Sequence, residues 1–296
     1  MADIERALST SVASTGAYLL PEVVDPVIRD YVSKATPVLS VVTRVNWPTQ
    51  TYWIRKRSAL PTAAFSTDGG SLPAASDSSY AKVAKTVKYL YTRGEVTGPL
   101  IAASGGVVNA LQEEIRVHSS VIAERLATAI CVGDGTEDTN AGIVGIKHQI
   151  NTSTPGNEGG TTDASAAALT LAMLDKALDD TKGEGDVIMT SRAVRRKISA
   201  LLQGQQRFLD RVEVGAGFRV LSYDGVPIVT DDHYEENEIL VFRRADAKLI
   251  VNQDFTMEML AKTKDAEDFY IKGYFGFALE GRPVRLKNFT IYFFRF

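Results

Sequence analysis

Three histidines, His118, His148 and His233, and one cysteine, Cys131, are the side chains here best suited to nucleophilic, general-base or soft-metal chemistry. None sits in a motif that would set it to work. There is no Gly-x-Ser-x-Gly elbow, no His-Glu-x-x-His and no Cys-x-x-Cys. His118 falls on the apolar face of a helical pattern and reads as a satisfied core or interface histidine. Asp134, Thr136, Asp138 and Asn140 place oxygen ligands at alternate positions, as a calcium loop does. Such a loop also needs a glycine at its sixth position and a glutamate at its twelfth, where Thr139 and Gly145 stand. Asp231, Asp232 and His233 could ligate a metal, but the triplet reads as a solvated turn before a strand. The glycines around Asp134 are not a phosphate-cradling loop, because no Gly-Lys-Ser or Gly-Lys-Thr follows. Arg55-Lys56-Arg57 and Arg195-Arg196-Lys197 read as solvated faces, or as ion-pair partners across an interface. Only the first run has aromatic neighbours, Tyr52 and Trp53, of the kind that stack on bases.

The whole-chain balance points away from nucleic-acid recognition as the main task. Lys and Arg number 33 against 36 Asp and Glu, a net charge of −3, without the basic excess that phosphate contacts demand. A single cysteine allows no intrachain disulfide and fits a reducing cytoplasm. The first residues, MADIERALSTSVAST, carry acidic groups and no signal-like apolar run. No stretch of about 18 apolar residues occurs, so no membrane span is expected. With 296 residues, 45% of them hydrophobic, the chain can bury one large core or two joined ones.

The elements that must position these residues follow from periodicity. Residues 1–45 hold Pro21, Pro26 and Pro37, which limit helices; a short helix over 22–32 within an extended arm is expected. TQTYWIRKRSA is β-prone, AFSTDGGSLPAASDSSY is rich in Gly, Ser, Ala and Pro, and AKVAKTVKYLYTRGEVT alternates. This predicts a long hairpin with Val83, Lys85, Val87, Tyr89 and Tyr91 on one face. A fifteen-residue arm reaches roughly 50 Å. Both faces carry charge, so the ribbon has no core of its own and should rest on a partner subunit. Val108, Leu111, Ile115, His118, Ile122, Leu126 and Ala129 predict a long helix over 106–131, with Ser104 as N-cap. A second helix should bury Leu171, Leu174, Ala177, Leu178 and Thr181. The strand DVIMT leads to a third, capped by Ser191, with Val194, Ile198 and Leu201 inward. Residues 203–220 read as a glycine-broken loop. The remainder is β-rich: GVPIVT, EILVFRR, AKLIV, FTMEML and a long run from Asp268. Strands and helices mix without regular alternation, which predicts an α+β fold.

In this order the elements resemble the Hong Kong 97-type major capsid proteins of tailed bacteriophages over nearly the whole chain. The extended loop of that family is matched by the hairpin. GDGTEDTNAGIVGI resembles its Gly-Asp-Gly…Gly-Ile turn after the spine helix. DVIMTSRAVRRKISALLQ resembles its strand-then-helix pair, YDGVPIVTDD its Gly-x-Pro-Val strand, and DFYIKGYFGFALEGRPVRLKNFTIYFF its return strands. The resemblance implies an N-terminal arm (1–45), an extended hairpin loop (46–97), a peripheral domain with the spine helix (98–150), an axial domain (151–262) and return strands of the peripheral domain (263–296). It implies a non-enzymatic, cofactor-free protein whose copies form pentamers and hexamers of an icosahedral shell. The shell would enclose double-stranded DNA without reading its sequence, and would assemble in the host bacterial cytoplasm to become part of the virion. Ring contacts are expected at Trp53, Arg55, Arg57, Phe65 and Tyr80 of the hairpin. Gln205, Gln206, Arg207 and Asp210 are expected at the capsomer centre. The partners implied are further copies of the chain, a portal protein, a decoration protein and a scaffolding protein. The short arm after Met1 leads to the expectation that the scaffold is a separate chain.

Some relatives weld subunits through a lysine on the extended loop, and no lysine lies between Ser58 and Tyr80 here, so covalent linking is not expected. Two other readings stand beside this one. An encapsulin-like nanocompartment would share the fold and carry enzyme cargo. A hydrolase or nucleic-acid enzyme would elute as a small oligomer instead of a particle.

Overall fold

The structure is a computed structural model that describes residues 37–104, 109–137, 141–150, 160–181, 185–204, 211–213, 219–235, 237–262 and 264–291. In chain order come α1 (Val38–Val41), β1 (Thr43–Asn46), β2 (Thr51–Ala59), β3 (Ser79–Thr86), β4 (Lys88–Thr97), α2 (Gly98–Ser104), α3 (Ala110–Val132) and α4 (Ile146–Ile150). Then follow β5 (Gly160–Asp163), α5 (Leu171–Asp180), β6 (Val187–Thr190), α6 (Arg192–Gly204), β7 (Arg211–Glu213), β8 (Arg219–Tyr223) and β9 (Val226–Thr230). β10 (Glu238–Phe242), β11 (Ala247–Met259), β12 (Ala266–Leu279) and β13 (Val284–Lys287) complete the chain. The expected α+β class holds. The strands form a four-stranded sheet, β1-β11-β12-β4, a seven-stranded sheet, β5-β13-β10-β6-β9-β8-β7, and the separate ribbon β2-β3.

Strand alternation explains how the cores divide. In β10 every residue is buried. Leu240 and Phe242 join one core with Val187, Met189, Leu126 and Ile130. Ile239 and Val241 join a second core with Ile188, Ile228, and α5 and α6 through Leu174, Val194 and Ile198. The seven-stranded sheet is therefore covered on both faces, and its central strands read as continuous apolar runs. The four-stranded sheet likewise divides its side chains between two cores, though its outer face is covered only in part. Leu249, Val251, Phe275 and Phe277 face the α3 side. Ile250 and Ala278 face the base of the ribbon, where Ile54 and Val87 seal it.

The long helix α3 buries the apolar stripe read from its spacing, with Ile122, Leu126, Ala129 and Ile130 innermost. Its N-cap is Asn109, whose side chain accepts from the Gln112 amide, and not Ser104. Ser104 instead ends α2, with Pro99 in that helix's first turn, and the Gly105-Gly106 pair between is poor helix material. At the far end Gly133 and Gly145 are placed by crowding. A Cβ on Gly133 would strike the Ala129 and Ile143 carbonyls, and one on Gly145 the Ala129 and Ile130 carbonyls. The Gly-Asp-Gly…Gly-Ile run thus folds back onto the helix terminus.

Other expectations are corrected as well. The return strand of the hairpin is not one element. β3 pairs with β2, whereas β4 leaves the ribbon and pairs with β12. The alternation slips at Val87, so Tyr89 and Tyr91 point to solvent instead of sharing the Val83 face. AKLIV and FTMEML are one strand, β11, whose register shifts around Gln253 absorb the polar residues between them. In α6, Ser191 does sit beside the Val194 amide, but Leu202 is the buried residue of the last turn and Leu201 only partly so. Residues 203–220 contain the antiparallel pair β7–β8, centred on Val212 opposite Val220. The helix expected over 22–32 lies outside the described residues. The end of the arm segment docks on the body: Val38 is fully buried and β1 adds in parallel to β11.

Candidate assembly interface

The ribbon β2–β3 has an inner and an outer side. Tyr52, Ile54 and Lys56 turn inward, with Ile54 buried at the base; Trp53, Arg55 and Arg57 turn outward. In register, Arg57 lies opposite Tyr80, Arg55 opposite Lys82 and Trp53 opposite Ala84. The outward face is therefore basic and aromatic. The Arg57 guanidinium stands 5.7 Å from the Tyr80 ring centroid, a cation–π contact that pre-orients both groups. Trp53 is 54% and Tyr80 71% exposed, large apolar areas that the described residues do not cover.

Beyond the ribbon, residues 60–78 make a tip without strand pairing. Its two limbs are tied by the Thr62 amide, which donates to Ser76 Oγ at 2.9 Å. Its turn is closed by the Gly70 amide donating to the Thr67 carbonyl, with Gly69 at φ 72°, a left-handed conformation that suits glycine. Leu60, Phe65 and Leu72 are exposed along it, the last two almost entirely. The structure thus places Trp53, Arg55, Arg57 and Tyr80 on one face and Phe65 at the tip that extends it. Gln205, Gln206, Arg207 and Asp210 lie outside the described residues.

The sequence reading missed a second exposed aromatic group. Tyr89, Tyr91 and Tyr274 gather on the outer face of the four-stranded sheet, with ring centroids 5.0 and 6.1 Å from Tyr274. Around them Lys272 pairs with Glu258 at 2.6 Å and Arg93 with Asp268 at 2.6 Å. The hydrogen bond to Glu258 raises the Lys272 pKa, and the bond to Lys272 lowers that of Glu258. The period-two tyrosines of β4 were the available signal, but they were assigned to the wrong face.

The residues first considered for chemistry are engaged otherwise. His118 Nδ1 lies 2.6 Å from Thr92 Oγ1, and the ring packs edge-on to Phe269. The Asp134 carboxylate accepts from the Thr136 amide and hydroxyl at 2.8 and 2.7 Å, which lowers its pKa. Asp138 and Asn140 lie outside the described residues. The triplet 231–233 is not a solvated turn. Asp231 is fully buried and the His233 side chain is 1% exposed, because Asp231 accepts from the Val38 and His233 amides. Only Asp232 behaves as a surface group, paired with Arg192 at 2.8 Å.

A long exposed ribbon on a two-sheet α+β body, with a spine helix across one sheet, is the architecture of shell-forming capsid proteins, and the similar structures agree. The cyanophage A-1(L) capsid subunit matches at a TM-score of 0.77 and 14% identity, covering 93% of this chain and 98% of that one. The capsid of the native GTA particle matches at 0.74 and 14%, covering 96% and 100%. The encapsulin of Synechococcus elongatus PCC 7942 matches at 0.73 and 12%, covering 97% and 100%. At these identities the likeness shows the Hong Kong 97-type fold and does not separate phage capsid from encapsulin. The family model does: that of the SU10 major capsid protein matches residues 8–282, and the chain belongs to this family. No curated protein sequence matches the chain.

Proposed function

We propose that the chain is the major capsid protein of a tailed phage, assembling as pentamers and hexamers into an icosahedral head around double-stranded DNA. The observation that carries the reading beyond the family is the ribbon and tip. Trp53, Phe65, Leu72 and Tyr80 expose large apolar areas that the described residues leave uncovered. Their physical role is to be buried on a neighbouring copy, where Arg55, Arg57 and Lys82 would meet acidic groups. Obligate contacts of this sort bury roughly 2,000–5,000 Å². Gln205, Gln206, Arg207 and Asp210 would meet around the capsomer axis.

The domain plan goes with this reading: arm 1–45, loop 46–97, spine-helix domain 98–150, axial domain 151–262 and return strands 263–296. The working partners would be copies of the chain, with a scaffolding protein, a portal protein and a decoration protein. Assembly would take place in the host bacterial cytoplasm before the protein becomes part of the virion. The role is structural and not catalytic. Supporting this, His118 is held by Thr92 and Phe269, and burial first, then the charge of Asp231, pushes the Cys131 thiol well above its ordinary pKa, so that it stays protonated.

Negative-stain microscopy and sedimentation of the purified full chain, with and without its scaffold, test the proposal. Shells or rings are expected. Monomer under every condition would overturn it.

A further inference from the structure

The end of α3 and the connection after β9 bring Cys131, Asp231 and His233 together in the interior. One donor atom from each lies within 4.8 Å of the others. Cys131 and Asp231 are fully buried, and the His233 side chain is 1% exposed. Asp231 Oδ2 accepts from the Val38 amide at 3.3 Å, and Oδ1 lies 2.5 Å from His233 Nδ1. That arrangement accounts for every polar atom of the pair but one. His233 Nε2 is buried and has no partner among the described residues. An interior polar atom left so is destabilising unless something meets it. The Tyr234 hydroxyl is buried beside the Cys131 thiol.

Thiol sulfur, imidazole nitrogen and carboxylate oxygen together are a donor set for zinc and its near relatives. We propose that Cys131, Asp231 and His233 bind one divalent cation of the zinc class, tying the end of the spine helix to the seven-stranded sheet. Charge balance favours it. A thiolate and a carboxylate neutralise a doubly charged ion, so the filled site carries no net charge into the core. Binding forms a sulfur–metal bond and releases the thiol proton to solvent, with no change of oxidation state. The cation reverses the local preference that otherwise keeps Cys131 protonated. Metal–ligand bonds of 2.0–2.3 Å put tetrahedral donors roughly 3.3–3.8 Å apart, so the close Asp231–His233 contact of 2.5 Å opens on binding while the more distant donors draw inward by up to about 1 Å. The Val38 amide, already on Asp231, holds the carboxylate as an outer-shell donor and links the site to the end of the N-terminal arm.

The test is metal content of the full chain, purified without a polyhistidine tag from cells grown in zinc or in cobalt. It reads free and assembled protein alike, so it is independent of whether shells form. About one zinc per chain is expected in the wild type, falling below about a tenth in Cys131→Ser and His233→Asn. Cobalt-grown protein should show a near-ultraviolet thiolate-to-cobalt charge-transfer band. Because the chain has one cysteine, that band reports Cys131 even if both variants fail to fold. A wild type without zinc and without the band means a hydrogen-bonded cluster only, and overturns the proposal. So does zinc that persists undiminished in both variants.

Discussion

Arg285 and Glu238 form an ion pair with side chains only 7% and 3% exposed, and Lys147 reaches the same carboxylate oxygen at 3.1 Å. Removing one partner of such a pair strands a buried charge. Arg285→Ala should therefore cost about 3 kcal/mol, the low end for a buried pair because Lys147 remains. Urea unfolding of the unassembled chain measures this, and a loss under about 1 kcal/mol would show the pair to be idle. Lys85 makes the opposite case. Burial, then the neighbouring Lys56, lowers its pKa from the ordinary 10.5. The ammonium is thus disfavoured in the folded state. The penalty is full below the folded pKa and is relieved as pH rises through the unfolded value. Lys85→Met should raise the unfolding midpoint at neutral pH, with the gain shrinking toward pH 10.5; a lowered midpoint at neutral pH would contradict it. At this scale the sequence is least legible. Asp231-Asp232-His233 is a polar triplet by any local measure. Two of its members are buried because Val38 and Cys131, far away in the chain, close over them.

The hairpin was readable from composition, since charge on both faces of an alternating run leaves no side for a core. Its limits were not. The slip at Val87 depends on Phe275 and Ile250 of the body sheet, which give β4 a partner that β3 lacks. The long helix was readable for the converse reason: one continuous stripe is buried, against the four-stranded sheet and, toward the helix end, in the core shared with the seven-stranded sheet, so period alone identifies it. Its start was obscured because Ser104 and Asn109 are both competent caps, and only the place of Ser104 as the last residue of α2 decides between them. The ribbon makes a prediction as an element. Its tip is held by side-chain bonds such as Thr62 to Ser76, and by little apolar contact, so free subunits should be nicked within residues 60–78. In assembled shells the same segment should be covered. Limited proteolysis followed by mass spectrometry compares the two states, and equal cutting in both would argue against a tip seated on a neighbour.

Over the whole molecule, the sheets of the body close cores of their own, whereas the ribbon has none and depends on others. A shell made this way can be held by covalent links or by numbers. An isopeptide link needs a lysine amine delivered to a neighbour's asparagine beside a carboxylate. The tip carries Asp68 and Asp77 but no lysine between Ser58 and Tyr80. Lys56 and Lys82 stand on the stem, Lys56 turned inward, so neither travels with the tip. A disulfide is equally out of reach, since Cys131 is fully buried at the end of α3. Strength must then come from repetition: each copy engages several neighbours, and releasing one contact leaves the subunit held by the rest at high effective concentration. Mature particles boiled in detergent should accordingly run as a single band near 32.2 kDa. A ladder of multiples that survives reducing agent would mean that an amine other than one on the tip reaches a partner, and that the shell is welded after all.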